Sequence, residues 1–91
     1  MYDVRRSGRF RRDVRLCEKR GKDMRKFNEV HRLLINGSSL PPKNRDHLLQ
    51  GDWKGYRECH IDPDWLLIYR VSQKENVIEY MRMGTHFDLF P

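Results

Sequence analysis

The hydrophobic period of this chain changes once, across a proline-rich break, and that change limits the fold more than any other feature. Before the break, Phe10, Val14 and Cys17 recur at i, i+4 and i+7, and Met24, Phe27, Val30, His31 and Leu34 continue at helical spacing. Stripes of this kind are the inner faces of amphipathic helices. Ser7 is placed to cap a first helix running to about Arg20, and Gly21 ends it. A second helix starts near Lys22 or Asp23 and stops at Gly37, a residue able to take the left-handed conformation. Two such helices form a hairpin. Ahead of them, residues 2–6 are extended in character and read as an opening strand.

Residues 37–45 (GSSLPPKNR) carry no periodic apolar signal and a proline pair, so they read as an exposed loop leading from helices into a sheet. Beyond it, residues 56–61, 65–71 and 77–83 are short and rich in β-branched or aromatic residues. Asp62-Pro63-Asp64 and Ser72-Gln73-Lys74-Glu75-Asn76 separate them, and both connections suit antiparallel hairpins. A shorter strand falls around residues 47–50, and Thr85 can cap a final turn holding His86, Phe87, Leu89 and Phe90. The order predicts an α+β fold: an N-terminal strand, a two-helix hairpin packed on a small antiparallel sheet, and a short C-terminal turn. With 91 residues and a hydrophobic fraction of 37%, one core is all the chain can build, so residues 1–91 are expected to form a single domain.

Charge divides along the same break. Residues 1–32 hold twelve Lys/Arg against five Asp/Glu, while residues 33–91 hold seven against eight. The net charge of +6 points to a polyanionic partner, and the N-terminal half carries the basic surface. The longest unbroken apolar run, Trp65-Leu66-Leu67-Ile68-Tyr69, is far below the roughly 20 residues a spanning helix needs, and no charged start leads into an apolar signal segment. A soluble, cytoplasmic protein without a membrane partner is expected. Cys17 and Cys59 read as reduced core thiols, since small secreted domains carry more cysteines.

Three of the four histidines fall in the C-terminal part, within a set suited to phosphate chemistry: Asp46-His47, Lys54, Arg57, Glu58, His60, Asp64, Arg82 and His86, with Phe90 one residue from the end. Metal-free RNA cleavage needs one group to take the proton of a ribose 2′-OH and another to protonate the departing 5′-oxygen. Histidine, with an unperturbed pKa of about 6.5, suits both tasks. His86, beyond a flexible Gly84-Thr85, is the first choice for general acid or base. His60 precedes Asp62-Pro63-Asp64, where Asp64 or Asp62 would fix its tautomer, and His47 follows Asp46. Lys54, Arg57 and Arg82 are candidates to offset charge on the phosphorane. His31, on the apolar side of the second helix, reads as structural, and Trp53 and Trp65 as core or sheet-face residues. No Cys-x-x-Cys or His-x-x-x-His pair is present, and the adjacent Cys59 and His60 would point to opposite faces of a strand, so neither a metal nor another cofactor is expected.

The stretch Asp46-His47-x-Leu-x-Gly51-x-Trp53-Lys54-Gly55-Tyr56-Arg57-Glu58-Cys59-His60-Ile61-x-Pro63-Asp64-Trp65, followed by Arg82-x-Gly84-Thr85-His86-x-x-Leu89-Phe90, resembles the YafQ-type toxins of the RelE/ParE superfamily over essentially the whole chain. The resemblance implies the toxin half of a bacterial type II toxin–antitoxin pair. Such a toxin is a ribosome-dependent endoribonuclease that cuts mRNA during translation and is neutralised by a cognate antitoxin protein. It also implies functional roles for His47, His60, Asp64, His86 and Phe90, with Arg82 as a supporting cation. Glu58 departs from the pattern, because the best-known member has Asp there; a carboxylate in the substrate-binding set survives with a longer reach. Phe90 would stack on an mRNA base, docking into the core being its alternative. Arg11, Arg12 and Arg15 would contact ribosomal RNA phosphates. Two other readings remain: a ParE-like toxin that acts by binding, whose members lack the His47/His60/His86 set, and a non-catalytic basic RNA- or ribosome-binding module.

Overall fold

The computed structural model describes residues 1–91. Its elements run β1 (Asp3–Arg6), α1 (Gly8–Lys19), α2 (Met24–Ile35), β2 (His47–Leu48), β3 (Arg57–Asp62), β4 (Trp65–Ser72), β5 (Val77–Gly84) and α3 (His86–Leu89), with 3₁₀ turns at Pro42–Asn44 and Gly51–Trp53. Ser7 caps α1: its Oγ accepts the Phe10 N–H at 3.0 Å and donates to the Met81 carbonyl at 2.8 Å. Asp23 caps α2 by accepting the Arg25 N–H at 3.1 Å. Both helices end in paired reversed hydrogen bonds, Lys22 to Cys17 and Gly21 to Glu18, then Ser38 to Leu33 and Gly37 to Leu34. This closure requires a left-handed residue, and Gly21 and Gly37 supply it at φ +80° and +72°.

The strands lie in the order β1-β5-β4-β3-β2. Strands β2 to β5 pair antiparallel, as the short connections predict. β1 differs, because it runs parallel to β5, Asp3 opposite Val77 and Arg6 opposite Tyr80. An opening strand followed by helices rather than a tight turn has no hairpin partner, and a long crossover frees it to pair in parallel. The sheet is therefore mixed, with an antiparallel majority.

Central β4 is covered on both sides, which explains its uninterrupted apolar run. Trp65, Leu67 and Tyr69 join the helix-side core with Phe10, Cys17, Val30, Leu34, Cys59, Ile78 and Tyr80. Both cysteines are buried free thiols. The Phe10 and Tyr80 rings lie 5.2 Å apart, and His31 Nδ1 meets the Tyr80 hydroxyl at 2.6 Å, so His31 is structural as expected; burial lowers its pKa. Leu66 and Ile68 face the other way and pack with Leu89, Trp53, Tyr56 and Met81. Residues 37–45 are not wholly exposed: Asn44 is buried and donates its side-chain N–H to the His60 carbonyl at 2.7 Å. No helix is long and apolar enough to cross a membrane.

Candidate active site

The face of the sheet turned away from α1 and α2 gathers the histidines. In β3, side chains alternate, so Cys59 and Ile61 enter the core while Glu58 and His60 project from the other face. His47 in β2 lies opposite Glu58, which lies opposite Ile68 in β4, which lies opposite Arg82 in β5. Glu58 is buried, and its Oε1 stands 3.8 Å from His47 Nε2 and 3.7 Å from His60 Nε2. His86 arrives from α3, its ring centroid 5.7 Å from that of His60.

The three imidazoles share one mode of attachment. His47 Nδ1 is 2.8 Å from the Arg45 carbonyl, His60 Nδ1 is 3.2 Å from the Pro63 carbonyl, and His86 Nδ1 is 3.1 Å from Asp64 Oδ1. Each partner is an acceptor, so each Nδ1 carries the donated proton and each Nε2 is the nitrogen left for chemistry. Asp64 therefore orients His86, whose backbone N–H it also accepts at 3.0 Å, and not His60. Those two hydrogen bonds lower the Asp64 pKa. Asp62 also leaves His60 alone and pairs with Lys26 at 2.8 Å.

Beyond β5 the chain is locked rather than flexible. Gly84 is buried in β5, where a Cβ would fall 2.8 Å from Asp88 Oδ2. Thr85 and Asp88 form a reciprocal cap at the start of α3. Arg20, at the end of α1, grips the same carboxylate at 2.7 and 3.3 Å, and this contact is the main reason the Asp88 pKa falls to about 2. A four-residue helix has no stability of its own, so these contacts and buried Leu89 hold His86 in place. The Thr-x-x-Asp spacing was the sequence signal for this anchor; nothing marked Arg20.

Other expected site residues are placed differently. Arg82 Nε is 2.7 Å from Asp13 Oδ2, which also accepts the Met83 N–H at 3.0 Å, so its guanidinium ties β5 to α1. Arg57 lies opposite Tyr69, on the helix side, where Asp46 binds both residues. It does not reach the imidazoles, and Asp46 serves Arg57 rather than His47. Lys54 is exposed beside the Trp53–Tyr56 ring pair, and Arg11, Arg12 and Arg15 are exposed along α1. Phe90 is 42% exposed and thus not docked in the core; Leu89 takes that place. The sequence predicts no metal, because it lacks paired ligand spacings and sets Cys59 and His60 on opposite faces. The fold nevertheless brings together a donor set that spacing does not show: Glu58, His60 and His86 each offer one ligand atom, all within 4.8 Å of one another. A cleft of about 630 Å³ between α2, residues 41–45 and the end of β3 meets this cluster only at His60. His47 and His86 border open surface, with side chains 51% and 57% exposed, whereas the His60 side chain is only 11% exposed between them and the cleft.

The chain has close counterparts in sequence and fold. The chain is 47% identical over 89 residues to the mRNA interferase toxin YafQ of Escherichia coli strain K12, covering 97% of this chain and 95% of that protein. It superposes on the toxin of the E. coli DinJ–YafQ toxin–antitoxin complex with a TM-score of 0.90, at 46% identity and 99% and 98% coverage. A metal-bound toxin from Helicobacter pylori matches at TM-score 0.92, 37% identity, and 99% and 100% coverage. The family profile described as bacterial toxin of type II toxin-antitoxin system, YafQ, spans residues 2–91, and the chain belongs to that family.

Proposed function

We propose that this toxin is an mRNA interferase, a ribosome-dependent endoribonuclease working by metal-free acid–base chemistry. The observation that carries the reading is the common orientation of His47, His60 and His86, each held through Nδ1 with Nε2 released. In the reaction, one Nε2 removes the 2′-OH proton as O2′ attacks phosphorus. The P–O5′ bond breaks as a second, protonated imidazole delivers its proton to O5′. The products are a 2′,3′-cyclic phosphate and a 5′-hydroxyl. Glu58, between His47 and His60, is the counter-charge for whichever ring is protonated, and Asp64 keeps His86 in the useful tautomer. Positioned proton-transfer groups of this kind typically contribute about 10²- to 10⁴-fold each. Lys54, exposed and outside every ion pair, is the cation assigned to the substrate phosphates; Arg82 acts there only by leaving Asp13.

Arg11, Arg12 and Arg15 form the ribosomal-RNA contact, an exposed basic ridge on a different element from the chemistry. An acidic or amphipathic antitoxin neutralises the protein, by analogy with DinJ and YafQ. With ribosome-bound mRNA as substrate, the place of action is the cytoplasm. The Glu58–His60–His86 donors would also accept a borderline divalent ion such as Cu²⁺ or Zn²⁺, which would occupy nitrogens that proton transfer needs and so inhibit. Cleavage should persist in EDTA and fall with added copper. The ParE-like and simple binding readings leave the shared histidine orientation without a purpose.

The deciding experiment is primer extension on a reporter mRNA in a purified translation system, with and without ribosomes, comparing the wild type with His86→Ala. Discrete ribosome-dependent cuts that vanish in the variant support the reading. No cuts with either protein sink it.

A further inference from the structure

Of the ten aromatic side chains in the sequence, only Phe87 and Phe90 are exposed, at 81% and 42%. Both belong to the α3 segment that carries His86. At about 100° per residue, His86, Phe90 and Phe87 fall within one arc of roughly 100° on the helix surface. Asp88 and Leu89 take the opposite side, where Arg20 and the Leu66–Ile68 floor hold them. The aromatic arc is therefore rigidly mounted, faces solvent, and begins at an imidazole.

Isolated apolar residues on a surface are ordinary. Two phenyl rings as the chain's whole exposed aromatic complement, both beside one candidate catalytic ring, are not scattered. We propose that Phe87, with Phe90, forms a stacking seat for the nucleobase flanking the scissile phosphate, so that Phe87 is an RNA-binding residue of this toxin. This rests on the nuclease reading above. In-line attack by a 2′-OH requires the two nucleotides at the cut to unstack from one another. An aromatic face supplies the π-surface that the displaced base loses, with tolerance for base identity. Phe87, at 81% exposure, is the outer ring of the pair and Phe90, at 42%, the inner one.

The test measures mRNA cleavage on programmed ribosomes against toxin concentration for the wild type, Phe87→Ala, Phe87→Leu and Phe87→Trp. Stacking predicts that half-maximal cleavage moves to about 5- to 150-fold higher concentration in F87A, while the saturated rate changes by no more than a few-fold. F87L should be nearly as impaired, because it keeps the apolar bulk without the ring, and F87W should match or exceed the wild type. A reporter mRNA with 2-aminopurine beside the cut, bound by the non-cleaving H86A protein, should show fluorescence quenching that H86A/F87A loses. F87L acting like the wild type, or F87A cutting normally while losing antitoxin affinity, would overturn the inference. If the wild type does not cut, or H86A still does, the nuclease reading fails first.

Discussion

The two faces of the sheet are made from the same strands, alternate residue by alternate residue, yet they do different work. Toward α1 and α2 the strands present Cys59, Leu67, Tyr69, Ile78 and Tyr80, all dry and interlocked. Toward the open side they present His47, Glu58 and His60 above a floor of Leu66 and Ile68. Burial pushes the Cys59 thiol pKa upward and so keeps it inert, one residue from a histidine that we assign to catalysis. A period of two lets one short strand serve both stability and chemistry. Mutations on the two faces should therefore separate cleanly.

The largest effect expected is on the open face: His86→Ala should lower single-turnover cleavage by about 10²- to 10⁴-fold, with an unchanged urea midpoint. On the covered face, Trp65→Ala should cost about 3–5 kcal/mol of stability, read from urea unfolding. If instead the histidine variant unfolds early, the two faces are not separable.

Arg82→Ala sharpens the comparison, because Arg82 shares a cross-strand row with Glu58 yet binds Asp13 with both side chains nearly buried. Removing one partner should cost about 3 kcal/mol. A loss of cleavage much larger than that stability change would show that Arg82 exchanges Asp13 for substrate phosphate. An Asp13→Ala/Arg82→Ala cycle would size the pair.

A smaller effect is expected at Arg20, whose ion pair with Asp88 is partly exposed. Arg20→Ala should cost about 1 kcal/mol or less, yet reduce cleavage by about tenfold or more through misplacement of His86. Arg20→Lys should recover part of that activity. The pH dependence is smaller still. Asp88 holds fewer protons folded than unfolded, so its contribution is present above the ordinary carboxyl value of about 3.9 and is lost as pH falls toward about 2. Acid titration of R20A should lack most of that step.

The residues read in sequence were legible where the relevant physics is local. Ser7, Gly21, Gly37 and Thr85 fall at the helix ends expected of them, and β3 to β5 begin and end within about a residue of their apolar runs. Partnerships between distant segments were not legible. Asp64 looked like the neighbour of His60, but a tight turn and the bulge between His60 and Asp62 direct it to His86, 22 positions on. Arg57 and Glu58 are adjacent in sequence and sit on opposite faces. Gly84-Thr85 read as flexible because glycine is permissive, whereas the glycine is needed where Asp88 approaches the strand.

By itself, the sequence determined the helix hairpin, the antiparallel strands, the basic N-terminal half and the family, since caps, periods and motif spacing are written over a few residues. The tertiary structure decided the parallel pairing of β1, the Arg20–Asp88 and Arg82–Asp13 clamps, the Nδ1 partner of every site histidine and the exposure of Phe87. Most of these depend on which residues the folded sheet brings within about 3–4 Å, and separations of up to 74 positions, as between Asp3 and Val77, leave no local trace.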